Sequence, residues 1–306
     1  MNAPNGLPET HWYARPHARA WRCARPSAEP EALHRSMPGY QRTPLVECPS
    51  LADELGVRRL FVKDESGRLG LSAFKMLGAS WAVFRAVGPR AGVRPAAPTL
   101  DALTEIRSSL GPLTLTTATD GNHGRAVARM ASLIGAQASV YIPSEVDPAA
   151  ISLIGSEGAD VVVLDLPYDD VVRRAADAAD GEPDSLLVQD TSWPGYEQVP
   201  QWIVDGYSTL FAEIDAQLAE QGAHPASLLT VPTGVGSLAQ AAVAHYRSTD
   251  GLPAAVLVVE PESATCVGES LRQGRSVSVT TGQTAMDGLN CGTPSSIAWP
   301  YLRDGA

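Results

Sequence analysis

Four short stretches carry residue types able to do chemistry, each beside the end of a predicted strand or the start of a predicted helix. The first is LFVKDESGRLGLSAFKMLGASWA, Leu60 to Ala82, which contains Lys75. Leu60-Phe61-Val62 reads as a strand, a Gly-bearing loop follows, and a helix is predicted from about Ala73 to Val87. Lys75 falls in its first turn, where the positive end of the helix dipole disfavours an ammonium and eases deprotonation. A neutral lysine among Phe74, Met76, Leu77 and Trp81 can attack a carbonyl and form a Schiff base. The same pattern also fits a solvated surface lysine.

The second stretch, TTATDGNHG (116–124), clusters Asp120, Asn122 and His123 at the carboxyl end of a strand. Open α/β sheets bind ligands there, although Asp-Gly-Asn is also ordinary turn and N-cap chemistry. The third, Gln189-Asp190-Thr191, again lies at a strand's carboxyl end, where Asp190 on its own reads as capping the following loop. The fourth is Gly234-Val235-Gly236-Ser237, directly after a strand and opening a helix. Successive N–H groups at a helix N-terminus bind anions, and glycines let a phosphate approach the main chain. A looser dinucleotide pattern, Gly234-x-Gly236-x-x-Ala239 with Glu260 ending the next strand, fits the same residues and keeps a nicotinamide enzyme in contention.

The elements that must position these groups alternate along the chain. Residues 1 to about 40 read as an irregular arm rich in Pro, Arg and His, and Ser50 as the N-cap of a short helix that Gly56 ends. Residues 88–98 read as a linker, followed by a polar helix from Thr99 to Leu110. Strands are then expected at 113–119, 138–143, 160–165, 185–190, 227–233 and 254–262. Helices lie between them: at 122–135, after Asp147-Pro148, at 168–179, one long helix within 196–220, and one from Ser237 to Tyr246. Shorter helices follow at 264–273 and 297–302. Such alternation predicts an α/β protein with mostly parallel sheets, one interrupting the other near residues 88–112.

A chain of 306 residues with 44% hydrophobic content can bury a sizeable core. The net charge of −11, with no Lys/Arg-rich run, argues against a nucleic-acid partner. No apolar run approaches the roughly 18 residues of a membrane span, and the N-terminus lacks the apolar core of a secretory signal, so a cytoplasmic protein is expected. The four cysteines show no CxxC spacing and no His/Cys cluster suggests a metal. Cys266 and Cys291 flank a Gly/Thr/Ser-rich segment read as a loop near the site mouth, where they could pair or remain reduced thiols.

Taken together, a lysine in SAFK, an asparagine in a Gly-Asn-His turn and a Gly-rich loop resemble fold-type II pyridoxal-phosphate enzymes, the tryptophan-synthase β-like group. SAFKMLGAS, TTATDGNHGRAVA, QDTSWPGY, GVGSLA and AMDGLNCGTPSSIAW resemble signatures of the diaminopropionate ammonia-lyase family and span most of the chain from Thr43 onward. The resemblance implies two open, mostly parallel α/β domains with a cofactor cleft between them. Residues 1–78 and 182–306 would form the larger, phosphate-binding domain, incomplete at its C-terminus, and 79–181 the smaller inserted one.

It implies pyridoxal 5′-phosphate as cofactor, held by Lys75, which would then act as a base at the substrate Cα. Asn122 would bond the ring's 3′-oxygen, and the amides of Gly234, Val235, Gly236 and Ser237 would bind the phosphate. Glu260 would then have no nucleotide to hold. Relatives that eliminate water usually carry a small neutral residue where this chain has Asp120. A carboxylate there suits a β-ammonium leaving group, with Asp190 as second carboxylate. The implied reaction converts 2,3-diaminopropionate, a small amino acid, to pyruvate and ammonia in a homodimer. The remaining alternatives are a Ser/Thr-type ammonia-lyase, a nicotinamide enzyme using GVGSLA, and a shortened, non-catalytic homologue, since relatives run on past Ala306 and there supply the group facing the pyridine nitrogen.

Overall fold

A computed structural model describes residues 13–93, 95–248 and 254–306. The arm expected to be irregular lies outside the described residues up to residue 12. Beyond that it holds a 3-10 turn, Pro16–Ala20, and helix α1, Glu29–Ser36. Pro30 in the first turn and the acidic Glu29 and Glu31 favour helix there. With so few turns, α1 shows no periodicity in the sequence. Strand β1 (Leu45–Glu47) leads into α2 (Pro49–Leu55), which Gly56 ends in the left-handed conformation. Ser50 is not its N-cap: proline needs no N–H partner at a first helical position, so the helix starts at Pro49 behind Cys48. Strand β2 (Phe61–Lys63) pairs antiparallel with β1.

Helix α3 (Lys75–Arg90) runs through Pro89, shortening the expected linker, and is buried along nearly its whole length from Met76 to Gly88. Thr99 caps α4 (Leu100–Ser108) by accepting from Ala102 N. There follow β3 (Thr114–Ala118), α5 (Asn122–Leu133), β4 (Gln137–Pro143), α6 (Pro148–Ser156, capped by Asp147), β5 (Asp160–Leu164), α7 (Tyr168–Gly181) and β6 (Ser185–Leu187). These strands form one parallel sheet in the order β5-β4-β3-β6, whose last strand comes from beyond residue 181.

The strand expected to reach Asp190 stops at Leu187, for a physical reason. After Val188 N bonds Thr116 O, the Gln189 side chain takes over the ladder, its Oε1 accepting from Ala118 N at 2.9 Å and Thr117 Oγ1 at 3.1 Å. The long helix expected within 196–220 divides at Tyr207 into α8 (Gln198–Gly206) and α9 (Ser208–Glu220). β7 (Leu228–Pro232), α10 (Ser237–Tyr246), β8 (Ala255–Val259), α11 (Cys266–Gln273) and α12 (Ala298–Gly305) complete the chain. Here β7 and β8 pair parallel as a two-stranded sheet, so the described second sheet is small, yet the α/β class holds. No helix of the described residues is long and apolar enough to cross a membrane.

Two buried polar clusters fasten α9 to the rest. Arg68, fully buried, donates to Glu213 Oε2 and Glu65 Oε1, each at 2.7 Å, and Lys63 Nζ reaches the same Glu213 oxygen at 2.7 Å. His34 on α1 bridges α3 and α9. Its Nε2 donates to Leu77 O at 2.9 Å and its Nδ1 accepts from Thr209 Oγ1 at 2.8 Å, a tautomer fixed because a carbonyl can only accept.

Burial pushes the His34 imidazole down from 6.5 to about 3. The unfolded chain therefore binds a proton at His34 that the folded chain refuses. The stability His34 confers is complete above pH 6.5 and falls as pH drops toward 3, at about 1.4 kcal/mol per pH unit. Urea unfolding across that window is expected to show this slope in the wild type and a slope shallower by about that amount in His34→Gln. Equal slopes would contradict the assignment.

Candidate active site

The carboxyl ends of the parallel strands open on one cavity of about 1210 Å³. Lys75, Asp120, Asn122, Asp190, Gly234, Val235, Gly236 and Ser237 all line it, joined by residues 282–291 from the segment before α12. Lys75 is the first residue of α3, Asp120 follows β3 and Asn122 opens α5. The Gln189 side chain that ends β6 leaves Asp190 to turn into the cavity.

Lys75 Nζ donates to Asp190 Oδ2 at 2.6 Å. Burial alone would favour the neutral amine, but the charge of Asp190 at contact distance, with Asp120 adding to it, holds Lys75 above its ordinary value. The neutral first-turn amine expected from the helix dipole is thus overruled by a carboxylate at contact distance. Burial likewise raises Asp190, yet His123 and Lys75 outweigh it and hold the carboxyl at about 2. Asp120 is pushed the other way, by burial and by the neighbouring Asp190 charge against the pull of Lys75. Two carboxylates in one cavity with their pKa values driven apart can divide the roles of fixed counter-ion and proton carrier.

His123 stands behind the pair. Its Nε2 donates to Val188 O at 2.7 Å, leaving Nδ1 as a lone pair 3.8 Å from Asp190 Oδ2 with no partner of its own. Burial lowers the imidazole pKa, and it is the protonated ring, present in the acid range where Asp190 titrates, that helps hold that carboxyl down.

The loop from Gly234 to Ser237 sits at the start of α10, whose first-turn N–H groups have no intrahelical acceptor. Gly236 adopts φ +102°, and a Cβ there would lie 2.7 Å from Leu302 Cδ1; one on Gly234 would lie 2.8 Å from Cys291 Sγ. Bare backbone is therefore required where the loop passes α12 and Cys291. Ser237 Oγ donates to Asp190 O at 3.2 Å, tying this anion site to the carboxylate that holds Lys75.

Glu260 is accounted for without a nucleotide. Its two oxygens accept from Val267 N and Gly268 N, each at 2.7 Å, at the start of α11, which also explains why β8 ends at Val259. Cys266 and Cys291 both approach Gly234, Cys266 Sγ bonding its carbonyl at 3.8 Å, but both thiols are free. The chain has two lysines, and Lys63 is engaged by Glu213, Gln217 and Thr43 O, which leaves Lys75 as the lysine of the cavity.

Among the lining residues that the sequence did not single out are Tyr168, Tyr207 and, as a cavity wall, Cys291. Both tyrosines fall in stretches read as helix, with no local mark of function.

The family model described as "Pyridoxal-phosphate dependent enzyme" matches residues 37–306. The chain is 38% identical over 280 residues to the diaminopropionate ammonia-lyase of Salmonella typhimurium, covering 89% of this chain and 69% of that protein. With the Escherichia coli protein of the same name the identity is 36% over 277 residues, covering 89% and 68%. The crystal structure of Escherichia coli diaminopropionate ammonia lyase in complex with D-serine aligns with TM-score 0.79 at 33% identity, over 90% of this chain and 69% of that one. The chain belongs to the pyridoxal-phosphate dependent enzyme family and, within it, groups with the diaminopropionate ammonia-lyases. Pyridoxal phosphate is its cofactor, and the cavity suits that group: a lysine for the aldehyde and, for the phosphate, bare-backbone amides at a helix start beside the Ser237 hydroxyl.

Gly236→Ala is expected to lower the unfolding free energy by about 1–3 kcal/mol, from left-handed strain and the contact with Leu302. It should also weaken protection of the apoprotein by inorganic phosphate. Urea titrations with and without phosphate check this; unchanged stability and unchanged protection would show that the loop accommodates a side chain.

Proposed function

We propose that this chain eliminates ammonia from 2,3-diaminopropionate, giving 2-aminoacrylate, which water converts to pyruvate and a second ammonia. The observation that carries the reading is Asp120, a half-buried carboxylate sharing the cavity of Lys75 and Asp190. Pyridoxal phosphate, when bound, supplies the electron sink that makes the substrate Cα–H acidic. The chain's own residues do the rest. The amides of Gly234, Val235 and Gly236, with Ser237, bind the phosphate, and Asn122 orients the ring at its 3′-oxygen.

Lys75 anchors the aldehyde carbon and, once free, accepts the proton from Cα. Asp190 keeps the lysine nitrogen aligned in the resting site. Asp120 pairs with the β-ammonium, keeping that nitrogen protonated so that it departs as ammonia rather than as amide ion. In this reading residues 79–181 form the smaller domain around β3, β4 and β5, whose sheet β6 completes from beyond residue 181, and 1–78 with the rest of 182–306 the larger one. The active form is a homodimer in the cytoplasm. The diaminopropionate ammonia-lyase names of the relatives support the elimination reading.

Purified protein supplied with pyridoxal phosphate is expected to release pyruvate from diaminopropionate. Asp120→Asn keeps the shape and removes the charge, so kcat/KM for diaminopropionate should fall by about 2–4 kcal/mol, roughly thirty- to a thousand-fold. Activity on serine, whose hydroxyl needs no anionic partner, should fall much less. Equal losses on both substrates would overturn the role given to Asp120, and absence of pyruvate from diaminopropionate would overturn the function.

A further inference from the structure

Helices α3 and α8 touch backbone to backbone. A Cβ on Gly206 would lie 2.3 Å from Leu77 O, and one on Gly78 would lie 2.6 Å from Tyr207 Cε1 and 2.7 Å from Ile203 Cγ2. A glycine inside a helix weakens it, and the space Gly78 leaves is filled by the Tyr207 ring. Gly78 stands three residues after Lys75, on the same face of α3. The ring is held edge-on against Phe74, with centroids 5.0 Å apart, is fully buried, and forms part of the cavity wall. Its hydroxyl has no hydrogen-bond partner. A buried phenol left unsatisfied is unfavourable, and because Tyr207 lines the cavity a group turning within it can supply the partner.

Lys75 lines the same cavity, one helical turn before Gly78, with its nitrogen turned in this structure to Asp190. We propose that Tyr207 is a positioning residue for Lys75, its hydroxyl oxygen accepting an N–H of the ammonium and holding that nitrogen beside the substrate Cα. The inference rests on the reading of Lys75 given above. The other groups bearing on the Lys75 nitrogen are Asp190, Asp120, His123 and Cys291. Burial raises the Tyr207 phenol above its ordinary value, so it acts as a fixed dipole and not as an acid.

An acceptor for the ammonium favours its charged form, and Tyr207→Phe removes that acceptor while keeping the ring against Phe74 and Gly78. The variant should therefore deprotonate Lys75 at lower pH. The contact forms when the lysine nitrogen leaves Asp190, so the acidic midpoint of the kcat–pH profile of the loaded enzyme should move down by about one unit. With the loaded enzyme kcat should fall about tenfold and KM stay unchanged, because the lost contact acts on the base and not on substrate binding. Tyr207→Leu should lower the urea midpoint, and Phe should restore it without restoring the pH midpoint.

An unmoved pH midpoint in Tyr207→Phe, with or without a loss in kcat, would overturn the inference. Lys75→Ala separates the two levels of the argument. If that variant still forms a borohydride-reducible bond to pyridoxal phosphate, the reading of Lys75 fails. If the bond is lost and Tyr207→Phe is nonetheless unmoved, only the role of Tyr207 fails.

Discussion

The 2.6 Å bond between Lys75 and Asp190 joins the start of α3 to the end of β6, positions 115 residues apart in the chain. A charge pair taken out of water is stable only if its geometry is exact and its remaining hydrogen-bonding capacity is met nearby. Removing one partner of such a pair typically costs about 3–5 kcal/mol. Much of the surrounding structure serves that condition. Gln189 ends the strand so that Asp190 can turn inward, Ser237 bonds the Asp190 carbonyl, and His123, pinned to Val188 O, backs the carboxylate.

The same pair sets the chemistry. It keeps Lys75 charged and Asp190 ionised, and it leaves Asp120 as the carboxylate whose proton affinity is raised. A cavity built this way holds its only lysine in a defined direction before any ligand enters. α3 itself is fixed from behind by His34 on Leu77 O and by the close contact of Gly78 and Gly206 with α8. Movement of α3 would therefore disturb Lys75 directly, and the buried clusters on α9 resist such movement.

Much of this was legible in the sequence because its signals are local. Asp147-Pro148, Thr99 and the strand-loop-helix passage at Gly234 to Ser237 each specify an element through a few neighbouring residues. The order of SAFK, DGNHG and GVGSLA gave the site its family resemblance. What escaped is what tertiary contacts decide. The charge on Lys75 depends on Asp190, far away in the chain, and a helix-dipole argument cannot see it. Glu260 looked like a ligand acid until the position of α11 gave both its oxygens a backbone partner. Tyr207 looked like one residue of a continuous helix, although it marks the break between α8 and α9 and reaches the cavity.

The central claim is that Lys75 is the residue to which pyridoxal phosphate becomes bonded. Reconstitution of the wild-type protein with pyridoxal phosphate, borohydride reduction and peptide mapping by mass spectrometry test it directly, since the chain offers just two lysines. The cofactor mass is predicted on the peptide that contains Lys75. Its appearance on Lys63, whose nitrogen is engaged by Glu213 and Gln217, or on neither lysine, would contradict the account.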